Sequence, residues 1–171
     1  MERQFAGGAL SRLNGQRHDL LIPTPAAGTD WTYAIPGGFA IRLLLATWTL
    51  KASAQIAKRY PSFVVRDGDG NIRLQTTDTG EIIAAAVARV TAAQGVTTAA
   101  SASGLAFTIQ APSTIIDPGW SIGSLTTNLA SEDQIEGVRL LVEELIERNP
   151  GEGYGVTATP TLEIDLEMPH A

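Results

Sequence analysis

Cysteine is absent from this chain of 171 residues, and histidine occurs only twice, as His18 and His170. The first absence excludes disulfides, thiolate ligation of zinc or iron–sulfur clusters, and a cysteine nucleophile. The second, with both histidines near the ends, argues against a histidine metal centre or a Ser-His-Asp triad. Charged residues are also sparse, at 18%. No apolar run approaches the ~20 residues of a membrane-spanning helix; residues 43–46 and 82–88 are among the longest. Residues 1–13 lack the apolar stretch of a signal peptide, so synthesis in the cytoplasm without secretory export is expected.

What is present fits one ordinary domain. Hydrophobic residues make up 44%, enough to bury a core and too many for a disordered chain. The 17 glycines and 9 prolines are spread along the chain without a collagen-like period. Charge is uneven: residues 131–171 hold ten acids and two bases, a net of −8, whereas residues 1–130 carry a net of +2. An acidic protein has no electrostatic drive toward nucleic acid. The opposite local charges can attract two subunits to one another, although a solvated acidic face is the default meaning of such a run.

Along the chain, residues 1–16 are small, polar and Gly-containing and read as a flexible N-terminal arm. Residues 17–22 form a short apolar run closed by Pro23, and residues 31–35 alternate large and small before the turn Pro36-Gly37-Gly38. Residues 39–50 are apolar on both faces, with Ile41, Leu43, Leu45 and Thr47 opposing Arg42, Leu44, Ala46 and Trp48, which predicts a central strand covered on both sides. Residues 62–66 and 72–77 flank Asp67-Gly-Asp-Gly-Asn71, a hairpin signal. Residues 81–93 are ambiguous. Their alanines and the spacing of Ile83, Ala86, Val87 and Val90 favour a helix, but the same run also fits a strand through the core. Residues 95–103 read as a loop or edge strand. Residues 105–110 read as a strand with Leu105, Phe107 and Ile109 on one face, and residues 120–129 alternate. Residues 131–137 read as a polar turn, and 138–146 fit strand and helix equally. Many short strand-like runs between Gly, Pro and Asp turns predict a β-sandwich over 17–149. A Gly-rich linker and an arm strand follow over 150–171.

Chemistry-bearing patterns are few, and each has an ordinary explanation. Asp67, Asp69, Asn71 and Asp78 match four ligand positions of a calcium loop, but Ile72 stands where that loop needs Gly, so a polar hairpin turn is expected, needing no metal. Residues 150–155 lack the Lys-Ser/Thr of a phosphate loop. Glu143 and Glu144 point to opposite faces on a strand and cannot flank one glycosidic bond. His18 beside Asp19 suggests a dyad, but no nucleophile elbow accompanies it. Trp31, Trp48 and Trp120 are assigned to core or interface. The clearest pattern is at 161–168, where Leu162, Ile164, Leu166 and Met168 fall on one strand face and Glu163, Asp165 and Glu167 on the other. A lone strand is unstable in water, so this one is expected to add to a sheet edge, in its own subunit or a neighbour's.

The residues 31–38, 41–49, Ala57-Lys-Arg59-Tyr-Pro61 and Val64-Val-Arg-Asp67-Gly-Asp-Gly-Asn71, with Pro118-Gly-Trp120 and Asp133-Gln134 before Val138-Arg-Leu-Leu-Val-Glu-Glu144, form a pattern of turns and strands. It resembles small virion structural proteins of tailed bacteriophages of actinobacteria, over roughly residues 17–146. The resemblance implies an all-β, jelly-roll-like antiparallel sandwich with extended N- and C-terminal arms, and it favours strand over 81–93 and 138–146. It implies a non-enzymatic role in the virion as a capsid decoration or minor capsid protein. The partners would be the major capsid protein or other virion proteins. Further copies of the chain are expected too, in a homo-oligomer that is a trimer by analogy with jelly-roll shell proteins. No cofactor, nucleic acid or membrane is implied. A collar, head–tail connector or tail accessory protein is the alternative within the particle. A carbohydrate-binding sandwich is the alternative of another class, and it calls for exposed aromatics on a concave face. An enzyme is the weakest reading.

Overall fold

Side-chain alternation across pleated strands builds nearly all of this structure. The computed structural model describes residues 15–100 and 105–146, which hold eleven strands and no helix. In chain order these are β1 (Arg17–Leu21), β2 (Thr32–Ala34), β3 (Phe39–Lys51), β4 (Ser62–Arg66), β5 (Ile72–Thr77), β6 (Val87–Ala93), β7 (Ala99–Ala100), β8 (Ala106–Gln110), β9 (Ile115–Ile116), β10 (Ser121–Ser124) and β11 (Gln134–Ile146). One sheet runs β1-β11-β3-β6-β8-β7, with β9 also on β3. The other runs β2-β10-β4-β5. Neighbours are antiparallel except β6 and β8, which run parallel. The two sheets pack face to face as an all-β sandwich.

The long strand at 39–51 is central in its sheet, with β11 on one side and β6 and β9 on the other, but the expected cover on both faces is not found: one face is buried and the other, with Leu45, Thr47 and Thr49, is half-buried. Its alternation is not uniform, however. Leu141 pairs with Leu45 and Val142 with Leu43, so Leu44 is an extra residue opposite nothing, a β-bulge. A bulge re-aims every side chain beyond it. Before it, Ile41 and Leu43 face the core, and beyond it Ala46, Trp48 and Leu50 do. The expected grouping of Leu45 and Thr47 with Ile41 therefore fails.

A second bulge lies in β11, where Glu136 pairs with Thr49 and Arg139 with Thr47. Three residues there advance against two. Gly137, within that step, has φ +61°, a left-handed conformation that glycine adopts without penalty. The polar turn expected at 131–137 is confined to residues 131–132: β11 already begins at Gln134, and Gly137 lies within its bulge.

Residues 81–93 are settled as strand. Ile82 bridges Arg59, a turn follows, and β6 then lies between β3 and β8. Ala88, Val90 and Ala92 are buried, whereas Ile83 and Val87, both on the helical stripe, are exposed. Propensity lost to tertiary context: Ala88, Val90 and Ala92 share the buried face of β6, where Ala88 pairs with Leu50, Val90 with Trp48 and Ala92 with Ala46 of β3. Residues 138–146 are strand as well.

The core joins both sheets. Trp31, just before β2, meets Trp48 of β3 edge-on with ring centroids 5.5 Å apart, and Phe63 of β4 lies 6.5 Å from Trp31. Edge-to-face aromatic pairs add to the gain from area burial. Around them sit Ile41, Leu43, Leu50, Val65, Phe107, Ile109, Ile122 and Leu140.

Candidate interaction surface

The acidic turn at 67–71 spends its carboxylate on itself. Asp67 Oδ1 accepts the backbone N–H groups of Asp69 (3.0 Å) and Asn71 (2.8 Å). Its Oδ2 accepts the Asn71 amide (3.2 Å) and Arg73 Nε (2.8 Å). Burial pushes this carboxyl's pKa up, but the bonds from Asn71, the Arg73 charge and the Asp69 amide outweigh it, and the net pKa lies below the usual carboxylate value. A cation here would have to displace those donors. Asp78, the twelfth position of the calcium-loop pattern, lies past the far end of β5, a strand of six residues and thus about 20 Å long. Its Oδ1 accepts the Gly80 N–H at 2.7 Å. Among the described residues no three His, Asp or Glu side chains gather as a metal-binding group.

The remaining sequence candidates disperse. Glu143 pairs with Arg42 (3.2 Å) and Glu144 with His18 (2.9 Å), while Asp19 pairs with Arg139 (2.6 Å). His18 and Asp19 thus form no dyad, as neighbours on a strand should not. Leu162, Ile164, Leu166 and Met168 lie outside the described residues, as does the 150–155 linker.

One charged pair is completely buried, Arg59 with Asp133, both inaccessible to solvent. The guanidinium donates from Nε and Nη2 to the Asp133 carboxylate, from Nη1 to the Ala57 carbonyl, and from Nη2 to the Gln55 carbonyl and Ser53 Oγ. Asp133 also accepts the backbone N–H groups of Ser53 (2.8 Å) and Ala130 (2.7 Å). Burial again pushes the carboxyl's pKa up, and the bonds from Arg59, Ser53 and Ala130 bring it below the usual value. The pair therefore pins residues 53–59 onto the loop that leads into β11. Residues 82–86 are tied to the same segment by Arg59–Ile82 backbone bonds and by Ala85 N–H to the Ser53 carbonyl at 2.8 Å.

At this end of the sandwich large aliphatic side chains face solvent. Ile56 is 95% exposed, Ile83 62% and Val87 55%. Ile56 and Ile83 are on the two pinned segments, and Val87 pairs with Lys51 at the end of β3. Leu105, expected on the core face with Phe107 and Ile109, precedes β8 and is half-exposed. Ile56 was not singled out in the sequence, although it is the one large aliphatic residue between Leu50 and Pro61. Ile83 and Val87 lie on the spacing that favoured a helix, one of the two alternatives left open for 81–93.

Elsewhere, an open cleft of 610 Å³ lies between the β5 edge and the segment after β8, lined by Leu74, Thr76, Gly95, Gln110, Ala111 and Pro112 among others. No aromatic ring lines it, and every large apolar side chain exposed among the described residues is aliphatic. No protein-family model, curated protein or solved structure matches the chain.

Proposed function

We propose that this chain is a non-enzymatic structural protein of a tailed-bacteriophage virion, a capsid decoration or minor capsid protein of jelly-roll-like type. It attaches to the shell protein through the Ile56, Ile83 and Val87 end and assembles with further copies of itself. The observation that carries the reading is the exposure of Ile56, Ile83 and Val87 at that end. Exposed aliphatic side chains on segments pinned by a desolvated, fully hydrogen-bonded ion pair form a docking surface with little left to order on binding.

Attachment is the test. Where a major capsid protein is encoded next to this chain, shells assembled from it should carry the chain to the pellet in stoichiometric amounts. The Ile56→Asp, Ile83→Asp double variant should stay in the supernatant with an unchanged melting temperature. A wild-type chain that never co-sediments sinks the virion reading; a double variant that attaches normally sinks the docking surface alone.

A further inference from the structure

The four-stranded sheet ends at β5, and among the described residues no strand pairs with its outer edge. This edge is six residues long and substantially solvent-exposed. Native proteins shorten, charge or cover such edges, because unpaired N–H and C=O groups recruit other chains. The other outer strands are handled differently. β7 and β2 are two and three residues long, and β1 carries Arg17, His18 and Asp19. β5 has only Arg73, whose guanidinium is already on Asp67. Leu74 and Thr76 turn from β5 into the 610 Å³ cleft, opposite Gln110, Ala111 and Pro112. A backbone edge beside a cleft whose walls mix apolar Leu74, Ala111 and Pro112 with polar Thr76, Gln110, Ser113 and Thr114 is the pattern of strand addition, in which main-chain bonds supply affinity and alternate side chains enter the pocket.

We infer that residues 161–168 of the same chain complete this edge, pairing with β5 and placing Leu162, Ile164, Leu166 and Met168 over the cleft. The outward face would then carry Glu163, Asp165 and Glu167, which discourages further pairing at the new edge. Reach favours the segment's own chain. β11 ends at Ile146, paired with Phe39, and residues 147–160 can extend about 46 Å. Crossing from β11 past β3 and β6 to β8, and then over to the other sheet, requires about 25 Å at ordinary strand and sheet spacings. A tether that spans its target holds its end there at about millimolar effective concentration, above that of a second copy in dilute solution. This closure does not depend on whether the protein sits on a shell.

Amide hydrogen exchange on the full chain at micromolar concentration tests the inference, with light scattering to report oligomeric state. The comparison is with the full-length Ile164→Asp, Leu166→Asp variant, whose changes lie outside the described sandwich. Outward-facing amides of β5 should exchange about tenfold faster in the variant, their protection in the unchanged chain should not vary on dilution, and a synthetic peptide of residues 160–171 should restore protection to the variant. Equal β5 exchange in the two proteins overturns the pairing. Protection that exists only where dimers are present, and fades on dilution, overturns closure within one chain and assigns the strand to a neighbour.

Discussion

Two ends of the sandwich are each organised by an aspartate that gathers backbone N–H groups and one arginine, and they differ in water. At the 67–71 turn, Arg73 is 58% exposed and its partner Asp67 needs only to close a local hairpin between β4 and β5. At the other end, Arg59 and Asp133 are 74 residues apart and both fully buried. The turn would form from local residues alone, since Asp67 reaches only to residues 69–73. The buried pair forms only once β3, the 53–59 segment and the start of β11 have come together. The same chemistry therefore shapes a turn in one place and holds distant segments in the other, and substitutions should separate the two.

The largest effect is expected from Asp133→Ala. It leaves the Arg59 guanidinium buried without its counter-charge and two backbone N–H groups without an acceptor. Breaking a buried pair from one side costs about 3–5 kcal/mol, read as a fall in the urea midpoint at unchanged slope. Arg59→Lys keeps the charge but loses the planar fork. An ammonium cannot serve the Asp133 carboxylate and the Gln55 and Ala57 carbonyls together, so about 2 kcal/mol is expected for carbonyls left unpaired. An Arg59→Lys variant as stable as wild type would show that the fork geometry is dispensable.

Acid should act on both ends. The Asp67 and Asp133 pKa values are lowered in the folded state. A lowered pKa stabilises the fold fully above the unfolded carboxyl's value of about 3.9 and loses that contribution as pH falls through the folded value. Stability should therefore be flat from pH 7 to 5 with respect to these groups and fall below pH 4. Asp133→Asn, already destabilised at neutral pH, should show a shallower acid limb. An acid limb as steep as that of wild type would move the acid sensitivity to other carboxylates.

Most strands were legible because alternation, bounded by Gly, Pro and Asp, is a local signal. The hairpin of β4 and β5 is the clearest case, with its turn chemistry written between two β-rich runs. What was not legible required distant neighbours. Nothing in Leu43-Leu44-Leu45 marks the middle residue as the bulge, because all three letters are the same and the register is set by β11. The helix-like spacing in 81–93 is genuine, but burial on a sheet between β3 and β8 outweighs a propensity difference of under ~1 kcal/mol per residue. Arg59 and Asp133 both stand in short patterns that the sequence analysis singled out, Arg59-Tyr-Pro61 and Asp133-Gln134, yet no local rule joins them. None of the exposed aliphatic side chains at the Arg59 end was singled out in the letters: Val87 acquires its exposure from the phase of β6, and Ile83 from the bridge that buries its neighbour Ile82 against Arg59.

The smallest effect sharpens the contrast. Arg73→Ala removes a guanidinium that is mostly in water, and Asp67 keeps the amides of Asp69 and Asn71 and the Asn71 side chain. Exposed ion pairs gain little, because the charges are screened and two long side chains must be held still. The urea midpoint should therefore stay within experimental scatter of wild type, and raising the salt concentration should leave the difference unchanged. Lys51→Ala, at a pair with Glu136 that is also largely in solvent, should behave alike, within about 0.5 kcal/mol. If Arg73→Ala instead cost as much as Asp133→Ala, the turn would be holding distant segments together, and the distinction between the two ends would collapse.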